Sequence, residues 1–316
     1  MIVRRHSVAM LIAGGVALAG SLAAQEPAAA LVAAAIGEAR AATPAAAMRW
    51  TDPDGKPLPF RSEDELLEFL RTADVKSEKH LSGGVTFPTK LLLEKDGIRA
   101  DAIFKDINEE KAAPTFCGGR NDLYFRDSYI FEPAAFELSR LLGLDNVPPA
   151  TLRKLHANNG SVQIWVENAM TEKKRIQDKI RPPDELQWNK QLQMINVFDA
   201  LVYNTDRNRG NILITPDWKL WMIDHGRAFR RNPSLQNAAA LNQCESGLYQ
   251  RLKALDEAVV RERLKPYLST FEMDALLTRR RLILERLDKL IAERGKAKVL
   301  YTDAPEAAPT LPAPQK

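Results

Sequence analysis

The chain has 316 residues, with 45 Lys and Arg against 41 Asp and Glu and a formal net charge of +4. That length suits two lobes or two small domains, and bases that alternate with acids along helical stretches argue against a nucleic-acid binder. Two cysteines, Cys117 and Cys244, and four scattered histidines lack zinc-ligand spacing, which disfavours a structural zinc and leaves a Cys117–Cys244 disulfide open.

Arg4 and Arg5 precede an apolar run, Val8 to Leu22, followed by small residues. This pattern predicts a secretory signal over residues 1–24, because the run falls short of the ~20 strongly apolar residues of a spanning helix. The expected product is exported, periplasmic or secreted, with no membrane span after cleavage. An uncleaved anchor is the alternative, and the Arg4-Arg5 pair leaves twin-arginine export open beside the general route. An Ala-rich linker is expected over 25–49 and a Pro/Ala-rich tail over 301–316.

Within the body, Ser62 is an N-cap for a helix carrying Leu66, Leu67 and Leu70. Gly83-Gly84 opens a strand pattern from Val85 to Leu93. Lys95-Asp96-Gly97 is a hairpin turn, and Ile98 to Ile107 is the returning strand. The stretch IFEPAAFELSRLLGL reads as an amphipathic helix closed by Gly143, and two strands are expected around an Asn158-Asn159-Gly160 turn. Leu186 to Asn204 has a helical apolar face. After Leu241 come further helices, one of them behind a capping box at Ser269 to Glu272. The predicted class is α+β, strand-rich over 50–168 and helical over 169–300.

Between those halves lies FDALVYNTDRNRGNILITPDWKLWMIDHGRAF, from Phe198 to Phe229. Two apolar strands flank Pro216-Asp217-Trp218. Pairing Thr215 with Leu220 and counting outward sets Asn211 opposite Asp224, where opposed Cα atoms stand ~5 Å apart. Hard oxygen ligands so placed suit a Mg²⁺ or Mn²⁺ ion that keeps waters and phosphates as its other ligands. Asp206, in a Gly-containing loop, faces the same spot.

The spacing Asp206-x4-Asn211, then Asp224-His225-Gly226, resembles the catalytic-loop and metal motifs of the protein-kinase-like superfamily. TDRNRGNIL…MIDHG is similar to phosphatidylinositol 3-/4-kinases and to atypical secreted kinases of the four-jointed, Golgi casein kinase type. EPAAFELSRLLGLDNVPPA resembles a stretch of the latter. The resemblance spans roughly Leu81 to Phe229 and implies a bilobal protein-kinase-like fold with ATP and Mg or Mn bound.

Carried over by position, Lys105 would touch the ATP α- and β-phosphates, and Glu132 would hold it as an ion pair, with Glu137 as the competing choice. Asp206 would take the acceptor proton, and Asn211 and Asp224 would hold the metal. Gly83, Gly84 and Thr86 would belong to the phosphate-covering loop. The segment ending in Glu167 and Asn168 would be the adenine hinge. Asn204-Thr205 replaces the usual His-Arg before the catalytic Asp, Arg207 follows it, and His225 stands where Phe is usual. With no Ala-Pro-Glu signature after Asp224, regulation through an activation loop is not expected.

The implied function is an exported kinase that moves the ATP γ-phosphate to a hydroxyl on a protein, glycan or lipid head group. The alternatives are an AMP transferase on the same fold and a non-catalytic binding module of the cell envelope.

Overall fold

The computed structural model describes residues 50–81, 88–111, 115–117, 120–122 and 125–302, with side chains for all but 115–117 and 120–122. The expected signal segment, linker and tail lie outside the described residues, as do Gly83, Gly84 and Thr86. The architecture is α+β, as the sequence predicts.

Helix α1 (Glu63–Thr72) starts where Ser62 Oγ accepts from Glu65 N at 3.2 Å, and it buries Leu66 and Leu70 completely. These side chains share a core with a five-stranded antiparallel sheet ordered β1-β2-β3-β9-β8. Its strands are β1 (Asp74–His80), β2 (Thr89–Lys95), β3 (Ile98–Lys105), β8 (Ala150–Leu155) and β9 (Asn158–Ile164). Lys95 pairs with Ile98 across Asp96-Gly97, whose φ angles of 51° and 75° are those of a tight two-residue hairpin. Alternation along β2 and β3 buries Leu91, Leu93, Ala100, Ala102 and Phe104 on one face.

The second hairpin does not turn at Asn158-Asn159-Gly160. It turns at His156-Ala157, with Leu155 paired to Asn158 and His156 at φ 52°, so the Asn-Asn-Gly run lies inside β9. Gly160 serves the approach of β3. A Cβ there would stand 2.3 Å from Phe104 Cζ and 2.5 Å from the Lys105 carbonyl oxygen. Gly160→Ala is therefore expected to destabilise by roughly 2 kcal/mol through overpacking, read as a lower denaturant midpoint. An unchanged midpoint would mean that β3 gives way freely.

Between β3 and the next helix the chain inserts strands that the sequence pattern left unparsed: β4 (Asn108–Lys111), β5 (Thr115–Cys117), β6 (Arg120–Asp122) and β7 (Phe125–Ser128). β4 pairs with β7 and β5 with β6. Helix α2 (Phe131–Leu141) follows and ends before Gly143 at φ 58°.

Helix α2 buries Phe131 and Phe136 in a larger core with α4 (Glu185–Val202) and the C-terminal helices. At roughly 1.5–3 kcal/mol for each buried aromatic, this fastens α2 to the helical half of the molecule. A small sheet, β10 (Met170–Thr171), β11 (Ile212–Ile214) and β12 (Leu220–Met222), lies against α4, and α3 (Glu172–Gln177) leads out of β10.

A parallel pair, β13 (Cys244–Glu245) with β14 (Leu300–Tyr301), closes the C-terminal half. Between them run α5 (Ser246–Ala254), α6 (Glu257–Leu264), α7 (Thr270–Arg294) and α8 (Lys296–Val299). The capping box of α7 forms, with Ser269 N donating to Glu272 Oε2 at 2.8 Å and Glu272 N donating back to Ser269 Oγ at 3.4 Å. Cys244 is a buried free thiol, which burial holds near a pKa of about 12; the Cys117 side chain lies outside the described ones. Among the described residues no helix is long and apolar enough to cross a membrane.

Candidate active site

Lys105 ends β3, the middle strand of the sheet, so its ammonium leaves the sheet toward α2 and the β11–β12 hairpin. Nζ donates to Glu132 Oε1 at 2.6 Å and to Asp224 Oδ1 at 2.8 Å. Burial opposes the charge on Lys105, but Glu132 and Asp224 overcome it and hold its pKa above the ordinary lysine value. Burial likewise works against the Glu132 carboxylate, and Lys105 with His225 reverses this, so the acid sits well below its usual range. Glu137, the competing choice for the lysine, points elsewhere: it pairs with Arg263 at 2.7 Å and lies 3.6 Å from Arg140.

The hairpin register differs by one residue from the sequence expectation. Ile212 pairs with Met222 and Ile214 with Leu220, and Ile223 N donates to the Asn211 carbonyl at 3.2 Å. Asn211 thus stands opposite Ile223. The cause is the loop, which is three residues long, with Trp218 at φ 63° and Thr215 N bonded to the Lys219 carbonyl. Asp224 is displaced by one position, but a left-handed φ of 61° turns its carboxylate onto Lys105. Such a conformation is uncommon for a residue with a Cβ, and Asp tolerates it better than most.

Asp206 sits in the loop after α4. The end of that helix is fixed by Tyr203 at φ 52° and by Phe229 N donating to the Val202 carbonyl at 2.6 Å. Arg279 of α7, fully buried, donates from Nε to the Leu201 carbonyl at 2.8 Å. Asn211 Nδ2 donates to the Asp206 carbonyl at 2.9 Å, which ties the two polar residues of the motif together.

Arg207 holds the loop against the hairpin. Its guanidinium meets Asp199 of α4 at 2.9 Å through Nε and 3.1 Å through Nη2. Nη1 reaches the carbonyls of Asn211 at 2.6 Å and Ile223 at 2.5 Å. Nη2 also lies 3.0 Å from His225 Nε2. Arginine has no acceptor, so that ring nitrogen accepts and the imidazole proton sits on Nδ1, 3.5 Å from Glu132 Oε2. Burial lowers the His225 pKa and the Arg207 charge adds to that, against the opposing pull of Glu132, so the ring is neutral. His225 N also donates to Glu132 Oε1 at 3.1 Å. His225 therefore replaces an apolar contact with a polar joint between α2 and the Asp206 loop. The sequence shows Arg207 and His225 only as departures from the usual motif; their mutual contact has no sequence signal.

The inserted β7 adds two features with no counterpart in the sequence reading. Ser128 N donates to the Gly226 carbonyl at 2.8 Å, and a Cβ on Gly226 would stand 2.5 Å from Asp127 Oδ1. Arg227 Nε donates to Asp127 Oδ2 at 2.8 Å, while Nη1 lies 3.3 Å from Asp206 Oδ2.

Glu167 and Asn168 follow β9 at the rim, Asn168 exposed at φ 55°. Burial, reinforced by Asp101, raises the Glu167 pKa to about 7, with Lys90 opposing. A carboxyl that binds its proton more tightly in the folded state loses stability as pH rises from its unfolded value through about 7. Glu167→Gln is expected to raise the melting temperature at pH 8 and to leave it unchanged below about pH 4. A gap independent of pH would contradict this.

Neither a protein-family model nor a curated protein matches the sequence. Solved structures do match the fold. A Fam20 from hydra, solved with sugar, superposes with a TM-score of 0.61 at 16% identity, covering 76% of this chain and 92% of that one. The Golgi casein kinase gives 0.59 at 18% identity over 82% and 81% of the two chains. Its structure with Mn and ADP bound gives 0.59 at 17%, over 82% of each. The chain has an atypical kinase-like fold. In that fold the sheet carries Lys105, α2 carries Glu132, and the loop and hairpin after α4 carry Asp206, Asn211 and Asp224.

The donor set fits a magnesium-like ion. Among the described residues no three His, Cys, Asp or Glu side chains form a metal cluster. Mg²⁺ needs only one or two protein oxygens beside phosphate and water. Asp224, 36% exposed and engaged with Lys105 through Oδ1, and Asn211, whose Nδ2 is bonded to the Asp206 carbonyl, would be the residues to supply that number.

Proposed function

We propose that this chain is an exported atypical kinase that moves the γ-phosphate of ATP to a hydroxyl acceptor. The observation that carries the reading is the Lys105 ammonium held between Glu132 and Asp224, 2.6 and 2.8 Å away, with Asn211 bonded to Asp206 beside it. A structural ion pair needs one carboxylate. A second one, on a residue in strained backbone and a third exposed, suits a phosphate and cation site.

Lys105 binds the α- and β-phosphate oxygens, and Glu132 with His225 fixes its direction. Asp224 and Asn211 would hold a Mg or Mn ion, which would supply positive charge against the phosphates. Asp206 accepts the proton of the attacking hydroxyl. Glu167 and Asn168 border the adenine end, and Gly83, Gly84 and Thr86 are assigned to the covering loop from the sequence resemblance. The fold shared with a kinase solved with Mn and ADP supports the nucleotide and metal.

A cavity of about 220 Å³ beside the Asp206 loop is lined by Asn204, Thr205, Gln236 and Asn237, and its Asp199 and Arg207 neutralise each other. Amides without net charge suit a neutral hydroxyl-bearing acceptor. Export rests on the Arg4-Arg5 and apolar pattern of residues 1–24.

Calorimetric titration with ATP, with and without Mn²⁺, alongside an assay of ADP release, tests the reading. Binding that needs the metal and is reversed by a chelator, with ADP released, is expected. Nucleotide binding with AMP left on the protein would move the reading to AMP transfer. No binding under either condition would favour the non-catalytic module.

A further inference from the structure

Phosphoryl transfer to a hydroxyl spreads negative charge over the moving group, and a cation on each side of it lowers the barrier. Lys105 serves the nucleotide side, held by Glu132 and Asp224. On the acceptor side the motif offers only Asp206, itself negative. The fold brings Arg227 to that place, its Nη1 3.3 Å from Asp206 Oδ2. Its Nε is fixed by Asp127 Oδ2 at 2.8 Å, and the guanidinium lies over the Phe125 ring, 5.5 Å from the centroid.

Three separate segments set this geometry: the residue after Asp224-His225-Gly226, the Asp206 loop, and the inserted strand β7. The insertion is locked to the metal motif by the bond from Ser128 N to the Gly226 carbonyl, so Asp127 has a fixed place relative to Asp224. Asp206 and Arg227 keep 35% and 18% of their side-chain surface exposed, so an incoming acceptor can reach both.

We propose that Arg227 is a catalytic residue of this transfer, donating from its guanidinium to the γ-phosphoryl oxygens, with Asp127 as the positioning residue that holds it. The proposal rests on the phosphotransferase reading above. In the step, the acceptor oxygen bonds to the γ-phosphorus, and the bond from that phosphorus to the β,γ-bridging oxygen breaks. ADP leaves with that oxygen, and the hydroxyl proton passes to Asp206. As Asp206 gains the proton it loses its negative charge and its hold on Nη1, at the moment when the phosphoryl oxygens carry the most charge. The guanidinium passes from one to the other, while Asp127 keeps Nε in place.

The test uses the full chain with ATP and Mn²⁺, reading ADP release, self-labelling from γ-³²P-ATP and Mn·ADP affinity. Arg227→Ala is expected to lower turnover on the order of 10³-fold, with Mn·ADP affinity within a few-fold of wild type. Guanidinium ion at non-denaturing concentration is expected to restore part of that turnover, and to do nothing for Asp224→Ala. Asp127→Asn is expected to show a smaller loss that guanidinium does not restore.

Unchanged turnover in Arg227→Ala would overturn the proposal, as would loss of nucleotide affinity in step with activity. If Arg227→Ala does not fold, a folded Arg227→Lys at full turnover would overturn it equally, since a point charge lacks the planar fork. A wild-type chain that releases no ADP and takes no label would instead remove the reading beneath it, which is a distinguishable result.

Discussion

Asp224→Ala is expected to reduce phosphoryl transfer on the order of 10³-fold, to a level indistinguishable from background. The substitution removes a carboxylate that engages Lys105 at 2.8 Å and supplies the charged half of the proposed cation site. It also leaves Ala at φ 61°, where an ordinary side chain costs ~1–2 kcal/mol. Asp224→Asn separates the two effects, because Asn tolerates the left-handed region while carrying no charge. The same loss of transfer is expected from Asn, with a smaller drop in melting temperature. Rates from labelled ATP and unfolding curves on both variants check this. Transfer retained by Asp224→Asn would place the cation elsewhere.

Arg207→Ala is expected to cost 3–5 kcal/mol of stability, the range for removing one partner of a buried, hydrogen-bonded ion pair. Arg207 and Asp199 keep 10% and 13% of their side-chain surface exposed, and the guanidinium also serves the carbonyls of Asn211 and Ile223 and the ring of His225. Its loss takes the charge partner from Asp199 and a donor from two carbonyls, of which that of Asn211 keeps the Ile223 N–H, and it unties the Asp206 loop from the hairpin. Arg207→Lys is expected to recover only part of the loss, since one ammonium cannot reach three directions at once. Denaturant unfolding measures both variants. A loss below about 1 kcal/mol, the level of an exposed pair, would show that water replaces the guanidinium easily.

Much of the fold was legible because local signals and tertiary packing agree. Ser62, Ser269 with Glu272, and Asp96-Gly97 act within their own turns, so sequence alone predicts the caps and the hairpin they form. Asn158-Asn159-Gly160 carries a strong turn signal that was overridden, because Gly160 is needed beneath Phe104, a partner 56 residues away in the chain. The one-residue error in the β11–β12 register has a similar origin. Trp218 adopts a left-handed conformation that its type disfavours, which shortens the loop to three residues.

At the site, the spacing of Asp206, Asn211 and Asp224 and the kinase resemblance single out those three with Lys105 and Glu132, and the structure joins Lys105 to Glu132 and Asp224. The contacts of Arg207 and His225, and the approach of Asp127 and Arg227 to Asp206, depend on an inserted hairpin and on side chains from distant segments. No short pattern in the sequence encodes those contacts.

The most direct test of the account is the fate of label from γ-³²P-ATP and, in parallel, α-³²P-ATP. Each is incubated with Mn²⁺ and the full chain, wild type beside Asp206→Asn. γ-Label is expected on the protein or on an added hydroxyl acceptor with the wild type, with no transfer of α-label and with loss of transfer in the variant. Retention of α-label, or γ-label transfer undiminished in Asp206→Asn, would contradict it.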